Sequence, residues 1–108
     1  MELNEAKLHE FLGKMVQDLG AAASASLVIT GDKLGLYKAL AANGPVTSDE
    51  LAKRTGTRER YVREWLAAQA ASGYVEYDAA GNSFSMTPEQ IAVFADDDSP
   101  VNMTGGYY

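Results

Sequence analysis

The stretch from Val46 to Met86 constrains the fold most. Val46-Thr-Ser-Asp-Glu-Leu-Ala-Lys-Arg-Thr-Gly56 is followed by Thr57-Arg-Glu-Arg-Tyr-Val-Arg-Glu-Trp-Leu-Ala-Ala-Gln-Ala-Ala-Ser-Gly73. Thr47 with Glu50 fits a capping box, in which the threonine oxygen and the glutamate carboxylate each satisfy an otherwise orphaned backbone donor, so a helix starts near Ser48. Leu51 and Ala52 face inward, and Gly56 stands where the turn between two such helices often carries glycine. Thr57 is expected to cap the second helix, whose packing face reads Tyr61, Val62, Trp65, Leu66 and Ala70, with Gly73 closing it. Val75 and Tyr77 alternate with Glu76, and Phe84 and Met86 with Ser83 and Ser85, which is the period of a half-exposed antiparallel pair over 74–77 and 83–86. Helix, turn, helix and two-stranded ribbon in that order make a winged helix-turn-helix. Thr87-Pro88-Glu89-Gln90 adds a second capping box with proline at the first helical position, and a short helix through Ile91, Val93 and Phe94 follows.

Upstream, Leu8, Phe11, Leu12, Met15, Val16 and Leu19 recur at three- and four-residue spacing and form one face of an amphipathic helix. Gly20 ends that helix or lets it bend. Ala21 to Ile29, rich in small residues, reads as a second, closely packed helix that Thr30-Gly31-Asp32 loosens or breaks. Asp32 is expected to cap the next turns, with Leu34, Leu36, Tyr37 and Leu40 apolar, and Asn43-Gly44-Pro45 stops them. The expected class is mainly α: a winged helix-turn-helix with a two-stranded β-wing over residues 32–95, an N-terminal helical extension over 1–31, and an acidic linker over 96–108. Because the first helix precedes the compact module, its stripe has two candidate covers, its own domain or a second subunit in a homodimer.

Composition narrows the function classes. One domain is expected from 108 residues, and the absence of cysteine removes disulfides and thiolate metal sites and fits a reducing cytoplasm. Met1-Glu-Leu-Asn-Glu5 is acidic where a signal peptide would be basic. No apolar run approaches the roughly 20 residues that span a bilayer, so no membrane role is expected. Asp96-Asp-Asp98 reads as solvated surface, since three adjacent aspartates cannot converge on one ion without help from elsewhere.

A net charge of −6 is wrong for a surface that must attract phosphate everywhere, so DNA binding would need a local basic patch. Lys53, Arg54, Arg58, Arg60 and Arg63 are most of the nine basic residues, and a DNA-binding reading would place Arg58, Arg60 and Arg63 on phosphates and base edges. They are interleaved with Asp49, Glu50, Glu59 and Glu64, which leaves a small phosphate term. The wing loop Asp78-Ala-Ala-Gly-Asn82 has no Lys or Arg, and Ala67, Ala68 and Ala71 suit close packing better than base reading. A protein-facing module is therefore preferred, with a DNA-binding regulator as the alternative.

Leu34-Gly-Leu-Tyr-Lys-Ala-Leu40, Gly44 through Gly56, Tyr61-Val-Arg-Glu-Trp-Leu66, Ser72-Gly-Tyr74 and Met86-Thr-Pro-Glu89 together resemble the N-terminal winged-helix domain of class I S-adenosylmethionine-dependent methyltransferases, as in bacterial and small-molecule O-methyltransferases. The resemblance covers roughly residues 8 to 95. It implies a domain that builds a homodimer and helps close a substrate pocket, joined to a C-terminal Rossmann-like domain that binds S-adenosylmethionine. The sequence has no strand leading into a glycine-rich turn, and Gly105-Gly106 is a poor substitute, so no residue here is expected to bind cofactor and the chain alone is expected to be inactive. Since the resemblance implies a homodimer, the apolar stripe of Leu8, Phe11, Leu12, Met15, Val16 and Leu19 is the expected dimer interface, and the resemblance marks Tyr107 and Tyr108 as candidate pocket-lining groups. No catalytic or metal residue is expected. His9 is the single histidine, and Ser24 and Ser26 have no base nearby in sequence.

Overall fold

The computed structural model describes residues 2–103. Five helices, α1 (Glu5–Lys33), α2 (Leu36–Asn43), α3 (Ser48–Thr55), α4 (Glu59–Ala71) and α5 (Pro88–Phe94), accompany two strands, β1 (Glu76–Asp78) and β2 (Ser83–Ser85). The strands pair antiparallel with Glu76 opposite Ser85, Tyr77 opposite Phe84 and Asp78 opposite Ser83. A bridge between Val46 and Phe84 adds a further rung, closed by amide-to-carbonyl bonds of 2.9 and 2.7 Å. That bridge ties the entry of α3 to the wing. The winged helix-turn-helix expected from the sequence is the observed fold.

The local signals explain most boundaries. Thr47 and Glu50 form the complete capping box, as do Thr87 and Gln90, with Pro88 opening α5. Gly73, at φ +76°, gives α4 a full Schellman ending: its own N–H bonds to Ala70 O and that of Tyr74 to Gln69 O, so two terminal carbonyls are satisfied. Gly56, at φ +64°, makes the turn between α3 and α4, and the Thr57 N–H closes back on Ala52 O.

Several expectations are corrected. Neither Gly20 nor Thr30-Gly31-Asp32 interrupts the first helix, so two expected helices are one, 29 residues long. A glycine in a helix interior costs only about 1 kcal/mol relative to alanine, and the alanine-rich run between the two expected breaks favours the helix throughout. Gly35, in the left-handed region at φ +73°, precedes α2 in place of an Asp32 cap. Arg58, not Thr57, occupies the N-cap of α4 and makes no side-chain cap bond, while the Thr57 hydroxyl lies 2.7 Å from that of Thr55. Tyr61, expected on the packing face of the second helix, is 40% exposed. The strands are shorter than expected: Val75 is buried just before β1 and Met86 half-buried just after β2.

The core is built around Trp65, Tyr37, Leu36, Leu40, Leu51 and Leu66, all essentially inaccessible. Tyr37 stacks on Phe94 at 4.8 Å and meets the Trp65 edge at 5.0 Å, so α2 joins α4 to α5 through one aromatic cluster. The Tyr37 hydroxyl donates to Gln69 Oε1, which satisfies the one buried amide side chain of α4. The Trp65 indole N–H donates to the Leu27 carbonyl of α1 at 2.9 Å. Gly31 makes that approach possible, since a Cβ there would lie 2.3 Å from Trp65 Cζ2 and 3.0 Å from Tyr37 Cε2. Gly31, read from sequence as a helix breaker, is a helix-to-helix contact instead.

Candidate functional site

Three surfaces carry the residues singled out by sequence. The first is the N-terminal half of α1. At about 1.5 Å per residue a helix of this length is roughly 43 Å long, and it is anchored only near its C-terminal end, where Val28 and Gly31 are buried. Every residue from Glu5 to Ala23 is exposed. The helix therefore projects as an arm. Leu8 (38%), Phe11 (64%), Leu12 (43%), Met15 (46%), Val16 (65%) and Leu19 (63%) all stand open along it, so the described residues do not cover the stripe. At about 100° per residue, Val28 and Gly31 point roughly 140–200° away from Leu8. The stripe and the anchoring face are on opposite sides of one helix. His9 is exposed on the arm, Ser24 is half-buried, and Ser26 is exposed with its carbonyl accepting from the Thr30 hydroxyl.

The second surface is the outer face of α3 and α4, where the structure brings acids onto the basic groups. Lys53 pairs with Asp49 at 3.0 Å, Arg60 with Glu64 at 3.7 Å and Arg63 with Glu59 at 3.8 Å. Arg54 donates to Asn43 Oδ1 at 2.8 Å. These ion pairs sit one helical turn apart, as the interleaved sequence implied, and being solvent-exposed each contributes little to stability. Their consequence is electrostatic: the face presents alternating charges where a phosphate-binding face would present a sustained positive field. The wing turn repeats this. Asp78 Oδ1 accepts from the Ala80 N–H, Asn82 takes a left-handed conformation, and Tyr77 donates to Asn82 Oδ1.

Between α4 and the wing lies the third, an open hollow of about 330 Å³ lined by Ser48, Arg63, Ala67, Ala70, Tyr77, Asn82 and Phe84. Its floor is apolar because Phe84 and Tyr77 pack ring on ring at 4.9 Å and the alanines leave space above them. Ala67, which lines the hollow, and Ala71, both assigned to close helix packing by the sequence, are exposed. Sequence reading missed this hollow, since its lining joins α3, α4 and the wing, which are apart in the chain. The Ser48 hydroxyl, donating to Glu59 Oε2, links the N-terminal ends of α3 and α4 beside it.

Beyond α5 the acidic run is partly tied down. The Lys38 ammonium donates to Asp97, and this hydrogen bond, reinforced by the Asp97 charge, raises the lysine above its ordinary range. Asp96 uses Oδ1 to accept from the Asp98 N–H and its carbonyl to accept from Asn102. The aspartates thus shape a turn and hold α2 to the segment that follows α5. No cluster of three or more His, Cys, Asp or Glu side chains suited to a metal occurs among the described residues. Tyr107 and Tyr108 lie outside the described residues.

The helix-turn-helix with its short wing is the decisive feature, and a family model for the Rv2258c-like winged HTH domain matches residues 22–95. The chain belongs to that family. Solved structures that share the fold include methyltransferases. It superimposes on the mitomycin 7-O-methyltransferase MmcR with a TM-score of 0.77 at 24% identity, covering 91% of this chain and 29% of that one. CalO1, a methyltransferase in calicheamicin biosynthesis solved with SAH bound, gives 0.72 at 24% identity over 98% of this chain and 29% of that one. Human N-acetylserotonin methyltransferase in complex with SAM gives 0.72 at 14% identity over 99% and 31%. No curated protein sequence matches the chain. At these identities the likeness establishes the fold, and the chain spans less than a third of each of these enzymes.

The described residues do not fit S-adenosylmethionine. Such a cofactor needs a buried strand running into a glycine turn and a helix N-terminus, whereas the sheet among the described residues is a two-stranded antiparallel ribbon at the surface. No helix among the described residues is long and apolar enough to cross a membrane.

Proposed function

We propose that this winged HTH domain is the N-terminal self-association and pocket-closing domain of an S-adenosylmethionine-dependent methyltransferase, inactive by itself and joined in its parent to a C-terminal Rossmann-like domain. The observation that carries the reading is the arm: six large apolar side chains stand exposed on one face of α1, with none of the described residues burying them. Exposed apolar surface of this extent, confined to one helix face, marks an interaction site. Burying it against a second copy contributes roughly 25 cal/mol per Å² of apolar area, less the cost of association. The structural neighbours support the rest: they are methyltransferases more than three times the length of the matched region. In this reading the parent holds the cofactor in its other domain, and Tyr107 and Tyr108 are candidate lining groups of the pocket between the two.

Replacing Leu12 and Met15 together with glutamate should convert a homodimer into a monomer of unchanged helical content. Light scattering with far-ultraviolet circular dichroism reads both. A parent chain that is already monomeric at high micromolar concentration overturns the self-association reading.

The family's helix-turn-helix keeps a second reading in view, a DNA-binding regulator using Arg58, Arg60 and Arg63. Because Arg60 and Arg63 already pair with Glu64 and Glu59, we expect no saturable binding to labelled duplexes even at low salt. Sequence-selective, steeply salt-dependent binding would favour the regulator.

A further inference from the structure

We propose that the two α1 arms of the homodimer pair antiparallel, around a two-fold axis that passes the helix between Gly13 and Lys14. This rests on the self-association reading above and adds the orientation of the second copy. The stripe is symmetric about that point: Leu8 and Leu19, Phe11 and Val16, and Leu12 and Met15 share the same midpoint. Leu8, Leu12, Met15 and Leu19 follow the four-three-four spacing of a packed helix seam. Antiparallel pairing centred there sets Leu8 against Leu19 of the second copy and Leu12 against its Met15. The same two layers then repeat on the other side of the axis. All four seam residues are exposed in the single chain, so each gains a cover and none overhangs.

A parallel pair would also cover the stripe, and charge decides between the two. Glu5 lies seven residues before Leu12 and therefore continues the seam at its N-terminal end. In a parallel pair the two Glu5 carboxylates would face each other. In the antiparallel pair each meets Ala22 of the second copy, a small side chain past which a carboxylate reaches water. Lys7 and Asp18 are eleven residues apart and so lie on the same flank of the stripe. A two-fold axis perpendicular to the helices brings the same flanks together, and Lys7 then stands about 3 Å along the helix direction from Asp18 of the second copy. Asp18 already accepts from Lys14 at 2.8 Å, which places its carboxylate on that flank. Opposed helix dipoles favour the same arrangement. It also gives a place to Leu3, 69% exposed ahead of α1, which reaches the level of Ser24 where the other copy's arm joins its globular body.

The absence of native cysteine makes the orientation directly readable. Leu8→Cys and Leu19→Cys chains are prepared separately, then mixed, equilibrated and oxidised. Antiparallel arms give a disulfide-linked dimer in the mixture and only monomer from either variant alone. A linked dimer from each variant alone shows parallel arms and overturns the proposal while leaving self-association standing. A dimer by light scattering that links in no combination places the interface elsewhere and also overturns it. A monomeric unsubstituted chain overturns the reading on which the proposal rests. As a second measurement, Lys7→Glu and Asp18→Lys should each weaken the dimer, and mixing the two variants should restore it. Lack of restoration removes the charge argument for the antiparallel sense.

Discussion

The two halves of α1 are one continuous helix with opposite fates. From Ser24 to Lys33 the helix is a structural member of the domain, with Val28 buried, Gly31 pressed on Trp65 and the Leu27 carbonyl bonded to the indole. From Glu5 to Ala23 every residue is open to solvent, yet this half carries six of the chain's large apolar side chains. The half with the smaller side chains is the buried one. Small residues allow backbone and aromatic ring to meet, whereas the large side chains need a partner surface that the short winged helix does not provide.

This contrast can be broken from either side, and the largest effect is expected at the anchor. Trp65→Ala should cost about 3–5 kcal/mol, the range for deleting a large buried aromatic, and should release α1 from α4. Urea unfolding measures it, and a loss below about 1 kcal/mol would show that the anchor is not seated as described. Gly31→Ala comes next. The added methyl must displace two rings that are both about 1% exposed, so a net loss of about 1–3 kcal/mol is expected despite alanine's better helix propensity. The same glycine-to-alanine change at Gly20, where the added methyl would meet nothing within 4 Å, should stabilise by up to about 1 kcal/mol. Opposite signs at two glycines of one helix would sharpen the division between arm and anchor. Equal effects would erase it.

The smallest effect belongs to the capping boxes, which differ in one atom's chemistry. Hydrogen bonding from the Thr47 N–H, and then from its hydroxyl, holds the Glu50 carboxyl below the ordinary glutamate range. A group whose folded-state pKa is depressed contributes stability that is present above the unfolded value and lost as pH falls through the folded one. Thermal unfolding should therefore show a shallow loss below about pH 4 that Glu50→Gln removes. The Thr87–Gln90 box makes the same bonds with an amide and should not titrate. A wild-type acid limb identical to that of Glu50→Gln would show that Glu50 contributes nothing to it.

The helix-turn-helix, both capping boxes, the glycine turn, the short wing and the apolar face of α1 were legible in the sequence. Each is a local property, fixed by periodicity or by a bond that reaches three or four residues. The interleaving of acids with arginines was legible for the same reason, and with it the weak claim of this surface on DNA. What the sequence misjudged was set mostly by contacts distant along the chain. Gly31 looks like a helix stop until Trp65, far along the chain, is seen to need its missing Cβ. Thr57 looks like a cap until its hydroxyl is found on Thr55, and Tyr61 looks buried until it is found 40% exposed. The hollow beside Phe84 exists only where α3, α4 and the wing come together. The sequence determined that α1 has an apolar face, because amphipathicity is written in spacing. Only the tertiary structure decided that this face is left uncovered, because coverage depends on where the rest of the chain packs, and here it packs on the other side of the helix.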